Sequence, residues 1–458
     1  MDKRKNTGRF IIYAVCLVVV LGLVLFSVKL YKGAEKWALY QTNRHVYTNG
    51  EITKIGEICD KKGVVLAYNN GEERAYNNDA NVRKSTIHAV GDTSGYISTG
   101  VQNALRKELT GYNLVNGFFN TGSGNNVTLT IDSRVNVAAL KALGTQNGCV
   151  GICNYKTGEI ICMVSAPTFD IASEDSFNSA KSGELGSVFV NKFISSTYTP
   201  GSTFKIITAA AAIDTYKEEV YTKEFLCQFG TEIEEEPISC LGEHNSVSLT
   251  GAFTNSCNAY FSQLGLSLGR NTLTEYAEKF GFNKDFYING IKAARSSFNL
   301  NETRNISVGW AAVGQYRTLM NPLQMLCNVS AIANGGEYVT PYFVDNVKKP
   351  NGKVVYKPTN KSVRIISENT AKELYNLMDT AVLNNYGKGS FGELDICGKT
   401  GTAEIGQGAE NSLFVGFSKD ENFPVAFVVI VENGGSGRSS AMTVANWALQ
   451  SAKQTFTS

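Results

Sequence analysis

The sequence predicts an α/β or α+β globular domain that follows a transmembrane helix and a small β-rich segment. Three observations lead to this class. An uncharged stretch lies near the N-terminus, β-type alternation follows it, and strand-like runs lie at both ends of a second region that is otherwise rich in helical patterns. We expect a cytoplasmic tail at residues 1–9, an anchor at 10–28, a membrane-proximal pedestal at 29–126 and the main domain at 127–458.

Composition narrows the class of protein further. The chain has 458 residues, of which 43% are hydrophobic and 18% are charged, which suits a globular protein with a membrane segment better than a disordered one. The net charge is +2, and no basic run lies outside the N-terminus. We therefore expect no nucleic-acid partner, because nucleic-acid binding needs a basic surface.

The anchor is predicted from the stretch Phe10 to Val28, which contains no charged residue. A helix of this length nearly crosses a hydrocarbon layer of about 30 Å. Lys3, Arg4, Lys5 and Arg9 precede it, which favours a cytoplasmic N-terminus. A cleaved signal peptide is the alternative, but its apolar region is usually shorter, and no small-residue cleavage site follows this one.

Cysteines and histidines give weaker signals. Most of the ten cysteines lie in apolar runs, where cysteine behaves as a small hydrophobic residue. Cys227 and Cys240 bracket a polar segment, so the pair is a candidate for a disulfide, with free thiols as the alternative. His45, His88 and His244 show no metal-ligand spacing, and we expect neither a metal site nor a cofactor.

The elements of the membrane-proximal part follow from turn signals. Residues 56–76 alternate apolar runs with Asp-Lys-Lys-Gly and Asn-Asn-Gly turns, which predicts a β-meander. Residues 96–109 have a helical pattern. The Gly/Asn-rich stretch at 120–126 predicts the domain boundary.

The main domain opens with a predicted strand at 127–132 and a helix at 133–143, capped by Asp132 or Ser133. Two strands joined by a turn at 154–158 follow, and residues 170–190 are predicted to be a polar loop. The remaining predicted elements are helical regions at 202–280, 307–334 and 370–383, strands at 394–398, 412–417 and 425–432, and a helix from Met442.

A serine and a lysine three residues apart are the leading candidates for chemistry. Pro200 and Gly201 precede Ser202, and an uncharged run from Ile206 to Ile213 follows Lys205. We expect Ser202 in a first helical turn, where free N–H groups favour a developing anion, on the same face as Lys205. Burial can lower the pKa of a lysine by about 3–5 from its usual ~10.4, enough for it to act as a base. A capped helix whose lysine reaches water fits the same pattern.

The motif S-x-N gains meaning only from its surroundings. It occurs at Ser123, Ser176, Ser256, Ser297 and Ser367, so the bare pattern decides nothing. Only Ser256-Cys257-Asn258 lies in an apolar helical stretch, where buried polar groups need partners. Two solvated helix residues are the alternative interpretation.

The motif K-T-G occurs twice. Lys156-Thr157-Gly158 is explained by a hairpin turn, whereas Lys399-Thr400-Gly401 follows a strand-like run and continues into Thr402. A lysine and threonine hydroxyls on a strand suit a substrate carboxylate, and a plain strand end is the alternative. A Ser-His-Asp triad is disfavoured, because no G-x-S-x-G turn is present and no histidine stands out as a base.

In the order S-x-x-K, S-x-N, K-T-G, the sequence resembles the penicillin-binding proteins. The likeness is to the class B, monofunctional transpeptidase branch, and to its small-pedestal penicillin-binding protein A type. It rests on YTPGSTFK at 198–205, CLGEHNSVSLTGAFTNSCNAYFSQLG at 240–265 and GKTGTAE at 398–404, although GQY at 314–316 replaces the usual GQG. The resemblance implies the penicillin-binding transpeptidase fold, an antiparallel sheet flanked by helices.

The resemblance also implies catalytic roles. Ser202 would be acylated, and Lys205 would take its proton. Ser256 and Asn258 would relay protons and hold the donor peptide, while Lys399 would supply the cation that keeps Lys205 neutral.

Substrate contacts are implied at Thr400, Gly401 and Thr402, with the backbone N–H groups of Ser202 and Thr402 as the oxyanion hole. The implied reaction is acyl transfer from the D-Ala-D-Ala end of a peptidoglycan stem peptide to an amine of a neighbouring stem, and β-lactams would acylate the same serine. The implied partners are stem peptides, β-lactam antibiotics and a membrane glycan polymerase of the SEDS family. The implied location is the cell membrane, single-pass, with the catalytic domain extracytoplasmic.

Three alternatives stay open at this stage. A serine β-lactamase would need a segment that positions a deacylating water, and no obvious E-x-x-L-N-type segment is present. A non-enzymatic β-lactam sensor would need a signalling module, whereas few residues precede the anchor. A cell-wall assembly scaffold is compatible with catalysis.

Overall fold

A computed structural model describes residues 2–38, 47–48, 51–52, 55–71, 73–110, 124–301, 304–404, 406 and 409–457. The helices in chain order are α1 Asp2–Ala38, α2 Ala80–Val90, α3 Val101–Ala104, α4 Arg106–Thr110, α5 Ser133–Leu143, α6 Glu174–Ser182, α7 Lys192–Ser195, α8 Lys205–Tyr216, α9 Leu249–Thr254, α10 Asn258–Lys279, α11 Asn305–Ala312, α12 Pro322–Ala333, α13 Glu368–Ala381 and α14 Ala441–Thr457.

The strands in chain order are β1 Tyr47–Thr48, β2 Glu51–Ile52, β3 Ile58–Cys59, β4 Val65–Asn70, β5 Glu73–Tyr76, β6 Asn126–Leu129, β7 Gly148–Asn154, β8 Ile160–Ala166, β9 Phe225–Cys227, β10 Gly230–Ile233, β11 Glu236–Ser239, β12 Asn245–Val247, β13 Tyr287–Ile288, β14 Ile291–Lys292, β15 Glu337–Val339, β16 Val344–Lys348, β17 Val354–Tyr356, β18 Ser362–Arg364, β19 Ile396–Glu404, β20 Glu410–Ser418 and β21 Val425–Val431.

Helix α1 contains the predicted apolar segment. The stretch Asn6–Ala34 has a mean hydropathy of 3.0, its most apolar part is not buried by any of the described residues, and it is long and apolar enough to cross a membrane. The predicted anchor at 10–28 lies inside it. The structure therefore agrees with an N-terminal anchor helix and extends it at both ends.

The central sheet forms the floor of the main domain. Its strand order is β19-β20-β21-β7-β8, and every neighbouring pair is antiparallel. Helices α5 and α14 pack on one face, and α12 and α13 pack on the other. The predicted antiparallel sheet flanked by helices is confirmed. The predicted helix at 133–143 is also confirmed, with Asp132 as the cap, because its carboxylate accepts a hydrogen bond from the backbone N–H of Arg134.

A second sheet joins the membrane-proximal strands to the main domain. Strands β3, β4 and β5 are consecutive antiparallel neighbours, which confirms the predicted meander. Strand β3 also pairs in parallel with β6, and β6 pairs with β16. The boundary expected near residue 126 thus falls within one sheet. Residues 120–123 of the predicted boundary lie outside the described residues, as does His45. The division into domains therefore stays a prediction.

Several sequence predictions were wrong in detail. The segment at 170–190 contains α6, whose cap is Ser173, rather than being loop throughout. The region 202–280 is not helical throughout, because residues 225–247 form the short strands β9 to β12. The expected helix at 96–109 begins later and is broken at Leu105. The helical region expected at 307–334 contains α11 and α12 and is confirmed. Short strands of polar residues carry too little periodicity to be recognised.

Helix α8 runs through the middle of the main domain. Its residues from Lys205 to Ile213 are all buried, and the side chains of Ala209 to Ala212 have no exposed surface. Small side chains allow the neighbouring helix α10 to pack closely. The expectation of a central buried helix is confirmed, and it places Lys205 at the buried end of that helix.

Candidate active site

Ser202 lies in a tight turn that is held against strand β19. Residues Gly201–Phe204 form a 3-10 turn that leads directly into α8. Gly201 has φ +52, and a Cβ atom there would lie 2.4 Å from the backbone oxygen of Thr402. Its N–H donates to the carbonyl of Gly314 at 2.9 Å. Only glycine fits this approach, so the turn presents Ser202 beside the strand that carries the K-T-G motif.

Lys205 contacts the hydroxyl of Ser202 from the protein interior. The lysine side chain is fully buried, and its Nζ lies 3.1 Å from Ser202 Oγ. The same Nζ lies 2.5 Å from the carbonyl oxygen of Ser256, 3.2 Å from Ser256 Oγ and 2.7 Å from Asn258 Oδ1. The S-x-x-K and S-x-N motifs, distant in sequence, therefore meet at one amine.

Burial and a second cation set the charge of this amine. Desolvation holds the pKa of Lys205 well below its usual value, and the nearby Lys399 lowers that pKa further. Lys399 is also fully buried, and desolvation, with a smaller contribution from Arg438, lowers its pKa to about 7. Among the described residues near Lys205, no carboxylate forms an ion pair with it. Lys205 is thus poised to be a neutral base.

Ser256 bridges the two lysines. It lies between α9 and α10 in the left-handed region, with φ +55, and its Oγ accepts a hydrogen bond from Lys399 Nζ at 2.9 Å. Asn258 begins α10 and donates from Nδ2 to the carbonyl of Ser239 at 3.0 Å. The backbone turn, rather than a regular helix, is what directs Ser256 to both lysines.

The other copies of the short motifs lie elsewhere. Ser176 is in α6, Ser297 bridges to Leu319, and Ser367 caps α13, while Ser123 lies outside the described residues. Lys156-Thr157-Gly158 forms the turn between β7 and β8, as its surroundings indicated.

The K-T-G motif lies on β19, beside the 3-10 turn Gly201–Phe204 that carries Ser202. We call this turn the nucleophile turn. Thr400 and Thr402 line the cavity above Ser202. Gly401, between these two threonines, is buried. A Cβ atom there would lie 2.9 Å from Thr203 Cγ2, so a larger residue would not fit. Gly401 therefore permits the close approach of the turn, and a direct substrate contact from it stays a prediction.

The cavity above these residues has a volume of about 370 Å³ and is open on one side. This size suits a peptide or drug-sized ligand. Ser202, Ser256 and Asn258 lie on its floor, and Arg438 adds a positive charge at its wall. The predicted catalytic residues are thus brought together around one cavity.

Two residues at this site had no sequence signal. Tyr386 lies in a π-helical turn at Val382–Gly387, and its hydroxyl accepts hydrogen bonds from Thr400 N at 3.1 Å, Thr400 Oγ1 at 3.0 Å and Lys399 Nζ at 3.4 Å. Arg438 donates to Asn385 Oδ1 at 2.7 Å, and its guanidinium lies 5.6 Å from the Tyr386 ring centre. Neither lies in a recognisable motif, and only their position beside β19 reveals them.

A serine that lines the cavity next to a fully buried lysine, which a second serine joins to a second lysine, forms a serine acyl-transfer site. The chain matches the family described as the penicillin binding protein transpeptidase domain over residues 148–450. It is 32% identical over 381 residues to the peptidoglycan D,D-transpeptidase PbpA of Mycolicibacterium smegmatis, covering 76% of this chain and 77% of that protein. The chain belongs to the penicillin-binding protein transpeptidase family.

Other comparisons agree with this assignment. The stage V sporulation protein D of Bacillus subtilis is 30% identical over 68% of this chain and 50% of its own length. The D,D-transpeptidase domain of a peptidoglycan glycosyltransferase from Eggerthella lenta superposes with a TM-score of 0.78 at 28% identity, over 88% of this chain and 99% of that one. Penicillin-binding protein A from Mycobacterium tuberculosis, in a ceftriaxone acyl-enzyme complex, gives 0.77 at 26% identity, over 87% and 98%.

Proposed function

We propose that this protein is a membrane-anchored, serine-type peptidoglycan D,D-transpeptidase. It cross-links stem peptides through an acyl-enzyme on Ser202, releases D-Ala, and is acylated at the same serine by β-lactams. The observation that carries this proposal is the fully buried Nζ of Lys205, 3.1 Å from Ser202 Oγ. Family membership and the acyl-enzyme complexes of the M. tuberculosis relative support it.

Hydrogen bonding at Lys205 supports its role as the base. A neutral amine has two N–H donors and one lone pair. The two shortest contacts, to the Ser256 carbonyl at 2.5 Å and to Asn258 Oδ1 at 2.7 Å, take both donors. The lone pair is then left to accept the hydroxyl proton of Ser202. Removal of this proton makes Ser202 Oγ a nucleophile at neutral pH.

Acylation follows from this proton transfer. Ser202 Oγ attacks the carbonyl carbon of the penultimate D-Ala while its proton moves to Lys205. The carbonyl oxygen becomes an oxyanion, held by the N–H groups of Ser202 and Thr402, where one such donor is typically worth about 3–4 kcal/mol. Collapse breaks the peptide bond, and the proton passes from Lys205 through Ser256 Oγ to the amine of the leaving D-Ala. The amine of a neighbouring stem then attacks the ester, and the same groups carry its proton in reverse.

The terminal carboxylate of the donor peptide is bound by the strand side of the cavity. Thr400 and Thr402 line this wall, and Arg438 lies near them, next to Gly437, whose N–H donates to Thr402 Oγ1 at 3.3 Å. Lys399 lies behind the wall, 2.9 Å from Ser256 Oγ. A carboxylate between these groups places the scissile carbonyl above Ser202.

Location and partners rest on the N-terminal helix and on the family. The basic residues at the start of α1, before the apolar stretch 10–28, favour a single-pass anchor with the catalytic domain outside the cytoplasm. Added protease should then degrade the chain in intact protoplasts, whereas protection would place the domain inside. A membrane glycan polymerase of the SEDS family is the proposed partner. Co-purification of the two proteins from membranes tests this association. If α1 contributes to the contact with the polymerase, replacement of α1 by an unrelated anchor should reduce the amount of polymerase that co-purifies.

Labelling with a fluorescent penicillin tests the activity. We expect the wild type to be labelled and Ser202→Ala to be unlabelled, with Ser297→Ala, a serine of another S-x-N sequence outside the cavity, as the matched control. Label that persists for many minutes supports a transpeptidase, and turnover within seconds supports a β-lactamase. If a Ser202→Ala strain cross-links its wall normally while a deletion strain does not, the scaffold alternative is correct.

A further inference from the structure

Four side chains with metal-binding atoms converge beside the S-x-N motif. They are Cys227 at the end of β9, Cys240 after β11, His244 before β12 and Cys257 at the N-terminus of α10. Their ligand atoms all lie within 4.8 Å of one another. In the part of the chain that the structure describes, this is the single cluster of this kind. The spacing of histidines could not reveal it, because only one histidine takes part.

The distances fit one small metal ion between the four atoms. His244 Nδ1 lies 3.3 Å from Cys227 Sγ and 3.5 Å from Cys240 Sγ. Zn–S bonds of about 2.3 Å and Zn–N bonds of about 2.1 Å in a tetrahedron require a sulfur-to-nitrogen separation of about 3.6 Å. Three thiolates and one imidazole are a standard ligand set for structural zinc, and this soft set does not suit Mg²⁺ or Ca²⁺.

The hydrogen bonds around the three cysteines are those expected for metal-binding thiolates rather than for inert buried thiols. Backbone N–H groups donate to two of the sulfurs, from Asn258 to Cys240 Sγ at 3.4 Å and from Tyr260 to Cys257 Sγ at 3.4 Å. Such hydrogen bonds orient and stabilise thiolate ligands. Cys227 and Cys257 are fully buried, whereas Cys240 is partly exposed, which leaves an entry path for an ion.

A disulfide explains the cluster less well. All of the cysteines are free in the structure, including the pair Cys227 and Cys240 that the sequence marked as a disulfide candidate. One disulfide would use two of the three sulfurs and leave the third, with the histidine, unexplained. A shared ion uses all four groups.

We propose that these four residues, Cys227, Cys240, His244 and Cys257, form a structural Zn²⁺ site. It ties the strands at 225–247 to the turn that carries the S-x-N motif. Cys257 lies between Ser256 and Asn258, so an ion bound to its sulfur fixes the backbone on both sides of it. Ser256 needs this support, because it is held at φ +55. The four ligands are therefore positioning residues for the active site.

Metal analysis of the full chain, purified in detergent without an affinity tag that binds metals, tests the site. We expect about one zinc ion per chain in the wild type. Cys240→Ser and His244→Ala should each retain at least about tenfold less zinc after dialysis. Cys59→Ser makes the same sulfur-to-oxygen change at another partly exposed cysteine and should retain all of it.

Zinc removal should also affect the neighbouring motif. A strong chelator should lower Tm and slow acylation by penicillin, and added Zn²⁺ should restore both. The site is overturned if the wild type holds no stoichiometric zinc, if it holds iron instead, if mass spectrometry finds a Cys227–Cys240 disulfide, or if Cys240→Ser keeps full zinc content. A wild type that is purified without any zinc and is still acylated by penicillin at Ser202 would refute the site and leave the proposed transpeptidase activity standing.

Discussion

At the scale of single residues, the chemistry depends on an amine that can give up its charge. The Nζ atom of Lys205 makes its two shortest hydrogen bonds to the Ser256 carbonyl and to Asn258 Oδ1. Its two longer hydrogen-bonding contacts are with the hydroxyls of Ser202 and Ser256. Motif spacing predicted the pair Ser202 and Lys205, because S-x-x-K places two side chains on one helical face. Ser256 and Asn258 were singled out by their apolar surroundings and by the family resemblance. Tyr386 and Arg438 could not be predicted, because they reach the site from irregular segments through long-range packing.

Replacement of Lys205 by arginine separates charge from basicity. Arginine places a cation that does not deprotonate in proteins at the same position. We expect Lys205→Arg to lower the penicillin acylation rate about 10²–10⁴-fold, the usual contribution of a general base. Lys419→Arg is the matched control, because Lys419 pairs with Asp379 at 2.8 Å and needs only its charge. Acylation at the wild-type rate in Lys205→Arg would exclude Lys205 as the base.

Tyr386 provides a second test at this scale. Its hydroxyl accepts from the N–H and Oγ1 of Thr400, so Tyr386→Phe leaves both without that partner. We expect a loss of stability of about 1–3 kcal/mol and a lower acylation rate with weaker carboxylate binding. Tyr276→Phe removes a comparable hydrogen bond, to Asp214, away from the cavity. It should lower Tm without slowing acylation, and equal acylation rates in the two variants would contradict a role for Tyr386.

At the scale of elements, the nucleophile turn packs between strand β19 and the loop that contains Gly314, between α11 and α12. Long elements such as β7, β8, α5 and α14 were predictable from periodicity and caps. Strands β9 to β12 and β15 to β18 were not, because they have only three to five residues, too few to show a clear alternation. Gly201 and Gly314 carry the fit, since a Cβ atom on Gly314 would lie 2.0 Å from the carbonyl oxygen of Gly201.

Two glycine variants separate the effect of φ from that of contact. Gly314 and Gly290 have nearly equal φ values of +82 and +81, but a Cβ atom on Gly290 meets nothing within 4 Å. Gly290→Ala should cost about 1–2 kcal/mol of stability, from the left-handed backbone alone, and leave acylation unchanged. Gly314→Ala should lower Tm further and slow acylation, because the nucleophile turn must move. Equal effects of the two substitutions on Tm and acylation would show that the close contact does not matter.

At the scale of the whole molecule, the membrane-proximal part and the main domain share a sheet and a buried carboxylate. Strand β6 lies between β3 and β16, and Asp60 accepts hydrogen bonds from Ser133 N at 3.0 Å and Ser133 Oγ at 2.6 Å. The long apolar helix and the transpeptidase family of the chain were predictable from composition and motifs. The shared sheet was not, because pairing between strands far apart in sequence leaves no local signal.

Truncation tests whether this shared sheet is needed. The fragment 47–458 retains β3 to β5, whereas 127–458 leaves β6 with an open edge and removes Asp60, whose carboxylate accepts hydrogen bonds from Ser133 at the start of α5. We expect 47–458 to be soluble and acylated by penicillin, and 127–458 to aggregate or unfold at a lower temperature. Equal Tm values and acylation rates for the two fragments would show that residues 127–458 form an independent domain.

The pH dependence of the penicillin acylation rate tests the neutral amine of Lys205 most directly. A base whose pKa is held well below its usual value by burial and by Lys399 loses its charge at a pH well below ~10.4, so the rate should fall only on the acid side and level off well below the usual lysine range. Lys399→Met removes the second cation, raises the pKa of Lys205, and should move the acid limb to higher pH. A rate that rises about tenfold per pH unit from pH 6 toward the usual lysine pKa of ~10.4 would contradict the account.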